Sequence, residues 1–370
     1  MLIAQICYLA PPAIGGVEKH VLELSRSLKK AGHKIEIHTS FFYDLQGTTI
    51  KQAPNDEIPT YRYAGRFVKK TRIFSQPIHF PKLFFGLLKT RPDVVHVHSM
   101  ASQHLEISYL YAKLFNKPLV VTGHYSAADL ERLFTKRKRG KKTLRLIYWQ
   151  RRLRKIMEYA TLIAITKDEA DAYQKYFGFK NIAVIPNGID LTEFKPKDQK
   201  ENFLIFVGRI VHAKRIEFLL EAHKKLKHPV PLIIAGYAPD KEYLNRLKTQ
   251  AGCGVSFVNP SREQLIELLS NAEALVLPSK NEAFGIVLLE AMASKAVVLA
   301  SNSGGFPEVL ADAGLLFDPD DVIDLAKKIS YLKDQKLCDS LRDKGLKRVQ
   351  NFNWDLLAEK VLEVYSNSSR

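Results

Sequence analysis

Cysteine is scarce in this chain: Cys7, Cys253 and Cys338 are the only three in 370 residues, odd in number and far apart. Such usage excludes a disulfide scaffold and a thiolate metal cluster, and reads as ordinary reduced thiols of a cytosolic protein. No apolar run approaches the about 20 residues needed to cross a bilayer. The apolar opening, Met1 to Ala10, has no positive leader and runs into Pro11-Pro12, so a first buried strand is predicted there and not a signal peptide. Low-complexity tracts are absent, and so is the Gly-x-Gly-x-x-Gly fingerprint of a dinucleotide-binding turn. One stretch lacks acid altogether. From Arg132 to Lys155, twelve Lys and Arg side chains meet no Asp or Glu.

What is present points to a folded body of two ordinary domains, 46% hydrophobic. The formal charge of +17 is lopsided: residues 1–190 hold 31 basic against 15 acidic residues, and the remainder is almost neutral. The acid-free segment is its densest part, with Leu144, Leu146, Ile147, Tyr148, Trp149 and Leu153 interleaved among the cations. Arg137, Lys138, Arg139, Lys141, Lys142, Trp149, Arg151 and Arg152 thus suit an anionic membrane surface or an anionic acceptor. A solvated basic loop and helix is the plainer reading. Nucleic acid ranks lower, since no recognisable nucleic-acid module accompanies the patch.

Strand and helix patterns alternate throughout, predicting α/β architecture with parallel sheets covered by helices on both faces. Strands are predicted at 2–9, 34–38, 94–98, 119–122, 162–165 and 183–185, then at 203–207, 232–235, 255–258, 274–277, 296–300 and 315–317. Pro186-Asn187-Gly188-Ile189-Asp190 and the polar stretch after it mark a domain break. The predicted division is an N-terminal Rossmann-like domain at 1–188, a second at 189–352, and a C-terminal helix at 353–370. Doubly wound sheets bind ligands beyond their strand C-termini, so two such domains would share a cleft.

Chemistry-bearing residues gather at those strand ends. Ala274–Leu277 reads as a buried strand leading into a helix, with Glu282 in the turn and Glu290 inside the helix. The leading N–H groups of that helix, Phe284, Gly285, Ile286 and Val287, carry its positive dipole end and offer a seat for a diphosphate. Acidic residues near helix starts are often mere caps, but a charge at Glu290 within an apolar run requires something to bind it. The strand 203–207 delivers Arg209 and Lys214, which could clamp a phosphate or simply be solvated. Gly15 and Gly16 open a helix after the first strand, either to admit a ligand close to backbone or as a plain turn. His124 follows another strand. His96 and His98 alternate to one face with no third ligand at useful spacing, so they read as packing or cleft-lining residues and no metal site is expected.

Together these segments resemble the family 4 retaining glycosyltransferases of the GT-B fold. The resemblance rests on Gly15-Gly16-Val17-Glu18, Thr122-Gly123-His124, Pro186 to Asp190, Val207-Gly208-Arg209 with Lys214, Glu282-Ala283-Phe284-Gly285 to Glu290-Ala291, and Gly304-Gly305-Phe306-Pro307-Glu308. These pieces span about three hundred residues in the family's order. The resemblance implies that Arg209 and Lys214 bind the diphosphate of a UDP- or GDP-sugar, with Gly16 facing it. It implies that Glu290 takes the ribose, that Glu282 contacts the transferred hexose, and that His124 lies beside that sugar. Transfer is expected with retention, by a front-face route in which the leaving diphosphate receives the acceptor proton, and without a required metal or cofactor. Gly123 and Thr166 depart from the family pattern, where bulkier residues and a serine are frequent. The C-terminal helix is expected to pack back on the first domain. With a first domain that recognises the acceptor, the charge asymmetry implies a lipid-linked or glycan acceptor and a peripheral place on the cytoplasmic face of a membrane. The competing readings are a nucleotide-sugar epimerase of similar form and a basic nucleic-acid-binding protein.

Overall fold

The computed structural model describes residues 1–13, 15–42, 48–49, 56–69, 75–78, 82–100, 103–135 and 144–368. The chain divides into two compact units, Met1–Gly188 with Trp354–Arg370, and Ile189–Asn353.

In the first unit the strands are β1 (Leu2–Ile6), β2 (Lys34–Ser40), β3 (Thr60–Tyr63), β4 (Arg66–Lys69), β5 (Ser75–Ile78), β6 (Val94–His98), β7 (Leu119–Thr122), β8 (Thr161–Ala164) and β9 (Ile182–Val184). Among the described residues seven of them form one parallel sheet, ordered β3-β2-β1-β6-β7-β8-β9, while β4 and β5 pair separately as an antiparallel ribbon. Helices α1 (Gly16–Lys30), α2 (Lys82–Thr90), α3 (Gln103–Leu114), α4 (Ala127–Thr135), α5 (Leu144–Tyr159) and α6 (Lys167–Phe177) are the connections. Central strands such as β6 are buried at every position, as a sheet covered on both faces requires. Two apolar layers result, one against α2, α3 and α5, the other against α1 and the C-terminal helix.

The second unit repeats the scheme with β10 (Glu201–Val207), β11 (Leu232–Ala235), β12 (Val255–Val258), β13 (Ala272–Leu277), β14 (Val297–Ser301) and β15 (Leu315–Phe317). They make a six-stranded sheet, β12-β11-β10-β13-β14-β15. Its helices are α7 (Ile216–Lys224), α8 (Lys241–Gln250), α9 (Arg262–Asn271), α10 (Ile286–Ala293), α11 (Phe306–Leu310), α12 (Val322–Ser330) and α13 (Gln335–Val349). Helix α14 (Trp354–Asn367) returns to the first unit and buries Trp354, Leu357, Ala358, Val361 and Tyr365 in its core.

Several elements escape the periodicity argument. The first strand ends at Ile6, because Tyr8 to Ala10 turn away before Pro11-Pro12. Strand β3, Thr-Tyr-Arg-Tyr, is a polar edge strand with no apolar alternation. Helix α13 buries Arg342 in its inward stripe, and that guanidinium pairs with Glu273 at 2.5 Å and with Asp339 at 2.9 Å, so its charge disguises a core face.

Candidate functional site

Within the first unit, buried polar side chains collect at the C-terminal ends of β1, β6 and β7. Gln5, His96 and His98 are fully buried, and helix α1 adds His20 at 4% exposure. Gln5 donates through Nε2 to the Tyr365 hydroxyl at 3.2 Å and accepts through Oε1 from Nε2 of His98 at 2.7 Å. Nε2 of His98 therefore carries the proton, and its Nδ1 keeps the lone pair, 3.3 Å from Nε2 of His124. Nδ1 of His20 donates to the Asn187 Oδ1 at 2.8 Å, which leaves the lone pair on Nε2, a buried atom with no partner among the described residues. His96 is occupied at both nitrogens, by Tyr365 at 2.7 Å and Thr122 at 2.8 Å. Burial pushes His20 down to about 4 and holds His96, His98 and His124 well below the ordinary imidazole range, so the rings are neutral at pH 7.

The third histidine that spacing did not reveal is thus His20. One ring nitrogen from each of His20, His98 and His124 lies within 4.8 Å of the others. His124 also has a φ of +61°, a left-handed conformation that costs a histidine energy and holds only where the surroundings enforce it. Those surroundings are visible. A Cβ on Gly123 would sit 1.6 Å from the Tyr173 hydroxyl, so only glycine fits before His124. Tyr173 donates to Glu169 Oε1 at 2.6 Å, and Glu169 also accepts from the N–H groups of Tyr125 at 2.8 Å and Ile165 at 2.7 Å. Thr166, for its part, accepts from Glu169 N as the cap of α6, the work a serine would do. Gly15, by contrast, is extended at φ −177°, so backbone conformation does not demand glycine there.

In the second unit, β10 leads into Gly208 and exposed Arg209. Lys214 follows in a short 3-10 turn, and its Nζ is ion-paired with Oε1 of Glu282, both side chains about three-quarters buried. The loop bearing Glu282 is strapped down from behind: Gly305 N donates to the Glu282 carbonyl at 2.9 Å, and a Cβ on Gly304 would lie 2.5 Å from that oxygen. Gly285, at φ +86°, then turns the chain into α10 against the Phe306 ring. No side chain caps α10. The side chain of Phe284 is core, 2% exposed, so only its backbone can meet a ligand.

Glu290 corrects one step of the sequence argument. Its carboxylate is buried at 4% exposure, but no outside ligand is required to hold it, because Nη1 of Arg262 donates to it at 2.7 Å. Arg262 also grips Glu193 and lies over the Phe194 ring, 5.4 Å from its centroid. Nothing in the local sequence links Arg262 to Glu290; it leads α9 behind a Ser261–Gln264 capping box. An Asp-x-Asp sequence, Asp318-Pro319-Asp320, also occurs. Lys280 holds Asp320 at 2.5 Å, and Asp318 accepts from the Asp320 N–H at 2.8 Å, so the pair serves the loop. Of the basic residues assigned to an anionic surface, Arg137, Lys138, Arg139, Lys141 and Lys142 and the side chain of Trp149 lie outside the described residues. Arg151 and Arg152 are exposed on α5, with Arg152 3.3 Å from Glu106 of α3.

Residues 14–193 match the family described as Glycosyltransferase Family 4, and residues 190–348 match Glycosyl transferases group 1. The chain is a family 4 glycosyltransferase of the GT-B fold. This glycosyltransferase is 26% identical over 404 residues to glycogen synthase of Mycobacterium tuberculosis, covering 100% of this chain and 95% of the relative. It is 28% identical over 390 residues to D-inositol 3-phosphate glycosyltransferase of Mycolicibacterium smegmatis, with 96% and 86% covered. Phosphatidyl-myo-inositol mannosyltransferase of the same organism is 25% identical over 390 residues, with 100% and 94% covered. Among solved structures, sucrose-phosphate synthase from Thermosynechococcus elongatus superposes with a TM-score of 0.75 at 24% identity, with 99% and 98% covered. Anabaena HepE in complex with UDP gives 0.77 at 17% identity, with 99% and 100% covered. These two share its fold.

One pH effect follows from the support beneath His124. Burial pushes Glu169 up to about 7 against an ordinary 4.5, despite the opposing hydrogen bonds. The folded glycosyltransferase therefore binds the extra proton between those values. Its stability should fall as pH rises through that window, by about 3 kcal/mol, and level off above it. Glu169→Gln removes this dependence. The difference in urea stability between parent and variant should change by about 2–3 kcal/mol between pH 5 and pH 8. A constant difference would mean that the carboxyl is ionised throughout.

Proposed function

We propose that this glycosyltransferase moves a hexose from a UDP- or GDP-sugar to a lipid-linked or glycan acceptor, with retention of anomeric configuration. The observation that carries the reading is the meeting of Lys214 and Glu282 at the mouth of uncapped α10, with Arg209 at the adjoining strand end. Lys214, Arg209 and the leading N–H groups of Phe284 to Val287 would hold the diphosphate and stabilise the charge that develops as it leaves. Glu282, already seated on Lys214, would contact the sugar hydroxyls. Glu290, aimed by Arg262, would take the ribose. In the first unit, whose proposed partner is the acceptor, strained His124 would lie beside the transferred sugar, with Gly15 and Gly16 facing the diphosphate. Relatives named for glycogen, inositol phosphate and phosphatidylinositol support a carbohydrate or lipid-linked acceptor, and HepE solved with UDP supports a nucleotide donor. The division of labour proposed is acceptor binding by 1–188, donor binding by 189–352, and the terminal helix 353–370 as a brace.

Thermal denaturation with UDP, GDP, ADP and their sugars tests the donor assignment. A nucleotide diphosphate at a hundred times its Kd should add about 2.7 kcal/mol of stability. The absence of a shift with every nucleotide would overturn it, and an inverted anomeric product by NMR would overturn retention.

A peripheral position at the cytoplasmic face of an anionic membrane is part of the same proposal. No helix among the described residues is long and apolar enough to cross a membrane. Helix α3 exposes Leu110 and Leu114, with Phe115 just beyond, and Arg151 and Arg152 are exposed on α5. Binding to anionic vesicles should therefore weaken with salt, as exposed charges are screened. Equal binding to neutral vesicles at high salt would contradict this.

A further inference from the structure

The inward-facing histidines of the first unit have more order than packing requires. His20, His98 and His124 come from helix α1 and from the ends of β6 and β7, elements far apart in sequence. Their rings are close-set: the centroids of His20 and His124 are 4.6 Å apart, those of His20 and His98 5.2 Å, and those of His98 and His124 5.6 Å. The hydrogen bonds fix which nitrogen each ring can offer. Asn187 holds the Nδ1 proton of His20 and Gln5 holds the Nε2 proton of His98, so the basic nitrogens left over are Nε2 of His20 and Nδ1 of His98. Nε2 of His124 is 3.3 Å from the latter. A buried Nε2 on His20 with no partner among the described residues is costly in a protein that needs it for nothing.

We infer that His20, His98 and His124 form a three-histidine site for a zinc-class divalent ion. Three neutral imidazoles with a fourth position open are the ligand set of an accessible zinc site, where nitrogens about 2.0–2.1 Å from the metal stand about 3.4 Å from one another. Nitrogens now within 4.8 Å reach that spacing by modest ring rotations. On binding, the His124 Nε2 proton moves to Nδ1, and the lone pair thus exposed joins the other two. The surrounding shell is of the right kind: metal-bound histidines usually give their other N–H to a carbonyl or carboxylate, as His20 gives to Asn187 and His98 to Gln5. Gln5 is held in turn by Tyr365. His20 and His98 are buried whereas His124 is partly exposed, so an ion would enter past His124. Nitrogen donors of this kind favour Zn2+, Co2+, Ni2+ or Cu2+ over Mg2+ and Mn2+, which prefer oxygen. His124, proposed above to lie beside the transferred sugar, is one of the three ligands, so the inference is tested by metal binding itself and not by transfer.

The test uses the full chain, stripped of metal by chelator and titrated with CoCl2. One equivalent should bind and give the intense visible d–d absorption of four-coordinate Co2+, which one equivalent of Zn2+ displaces and a large excess of MgCl2 does not. His20→Asn keeps an amide donor for Asn187 but lacks the ligating lone pair, and should weaken Co2+ binding at least about 100-fold. His228→Ala, at an unrelated site, should leave it unchanged. Imidazole 15N spectra of the unaltered protein supply a second measurement, independent of variant folding. Zn2+ should shift Nε2 of His20, Nδ1 of His98 and Nε2 of His124, and leave His96 without a metal-bound nitrogen. Absence of stoichiometric binding, a weak six-coordinate Co2+ spectrum, undiminished binding in His20→Asn, or unshifted His20, His98 and His124 resonances would each overturn the inference.

Discussion

Arg262→Ala is expected to destabilise the second unit by about 2–3 kcal/mol and to weaken donor binding at least tenfold. The stability figure sits below the about 3–5 kcal/mol found when a fully buried ion pair loses one partner, because the Arg262 side chain keeps 32% of its surface in water. Glu290 is at 5% and cannot recover its hydration when the guanidinium goes. The same substitution releases Glu193 and uncovers the Phe194 ring. Donor affinity should fall because the carboxylate proposed to take the ribose must be held in one place, and Arg262 holds it. Adding Glu290→Gln to Arg262→Ala removes the buried charge that lost its guanidinium and should restore more than half of the lost stability without restoring affinity. Urea denaturation and titration with the nucleotide diphosphate separate the two effects. If Arg262→Ala were as stable as the parent, the pair would be surface decoration, and Glu290 would have to be stabilised by other means.

Lys214→Ala should show the opposite balance, a loss of about 100- to 1000-fold in kcat with little change in stability. Removing one preorganised donor from developing charge costs about 2.7–4 kcal/mol in the transition state. A partly exposed ion pair such as Lys214–Glu282 contributes about 1 kcal/mol or less to folding. Glu282→Ala should cost a comparable factor in transfer, since a sugar would then meet Lys214 without its counter-charge. Steady-state kinetics with the donor identified by thermal shift, beside melting curves of each variant, decides the matter. Full activity in Lys214→Ala and Glu282→Ala would remove both residues from the site.

The fold was largely legible because its signals are local. A strand buried on both faces is largely apolar, and β6, β7 and β11 fall on the predicted residues without a shift. The legibility fails where polarity hides burial: at edge strand β3, and on α13, where Arg342 is core because Glu273 and Asp339 neutralise it. Among the candidate site residues, Lys214 and Glu282 could each be read singly as a ligand group from its place at a strand end. That they hold one another depends on how β10 and β13 lie side by side. Gly123 read as a departure from the family pattern, and its reason lies in the Tyr173 hydroxyl fifty residues later.

Sequence alone determined the alternation that makes two parallel sheets, the family, and the chemical types at the strand ends, since each depends on neighbours along the chain and on motif order. Pairing was decided only by tertiary structure. His20 against His98 and His124, Arg262 against Glu290 and Glu169 beneath His124 join residues separated by 28 to 104 positions. Whether a buried charge needs a ligand, or a histidine keeps a lone pair, depends on which partner packing brings within about 3 Å, and hydrophobic periodicity carries no record of that distance.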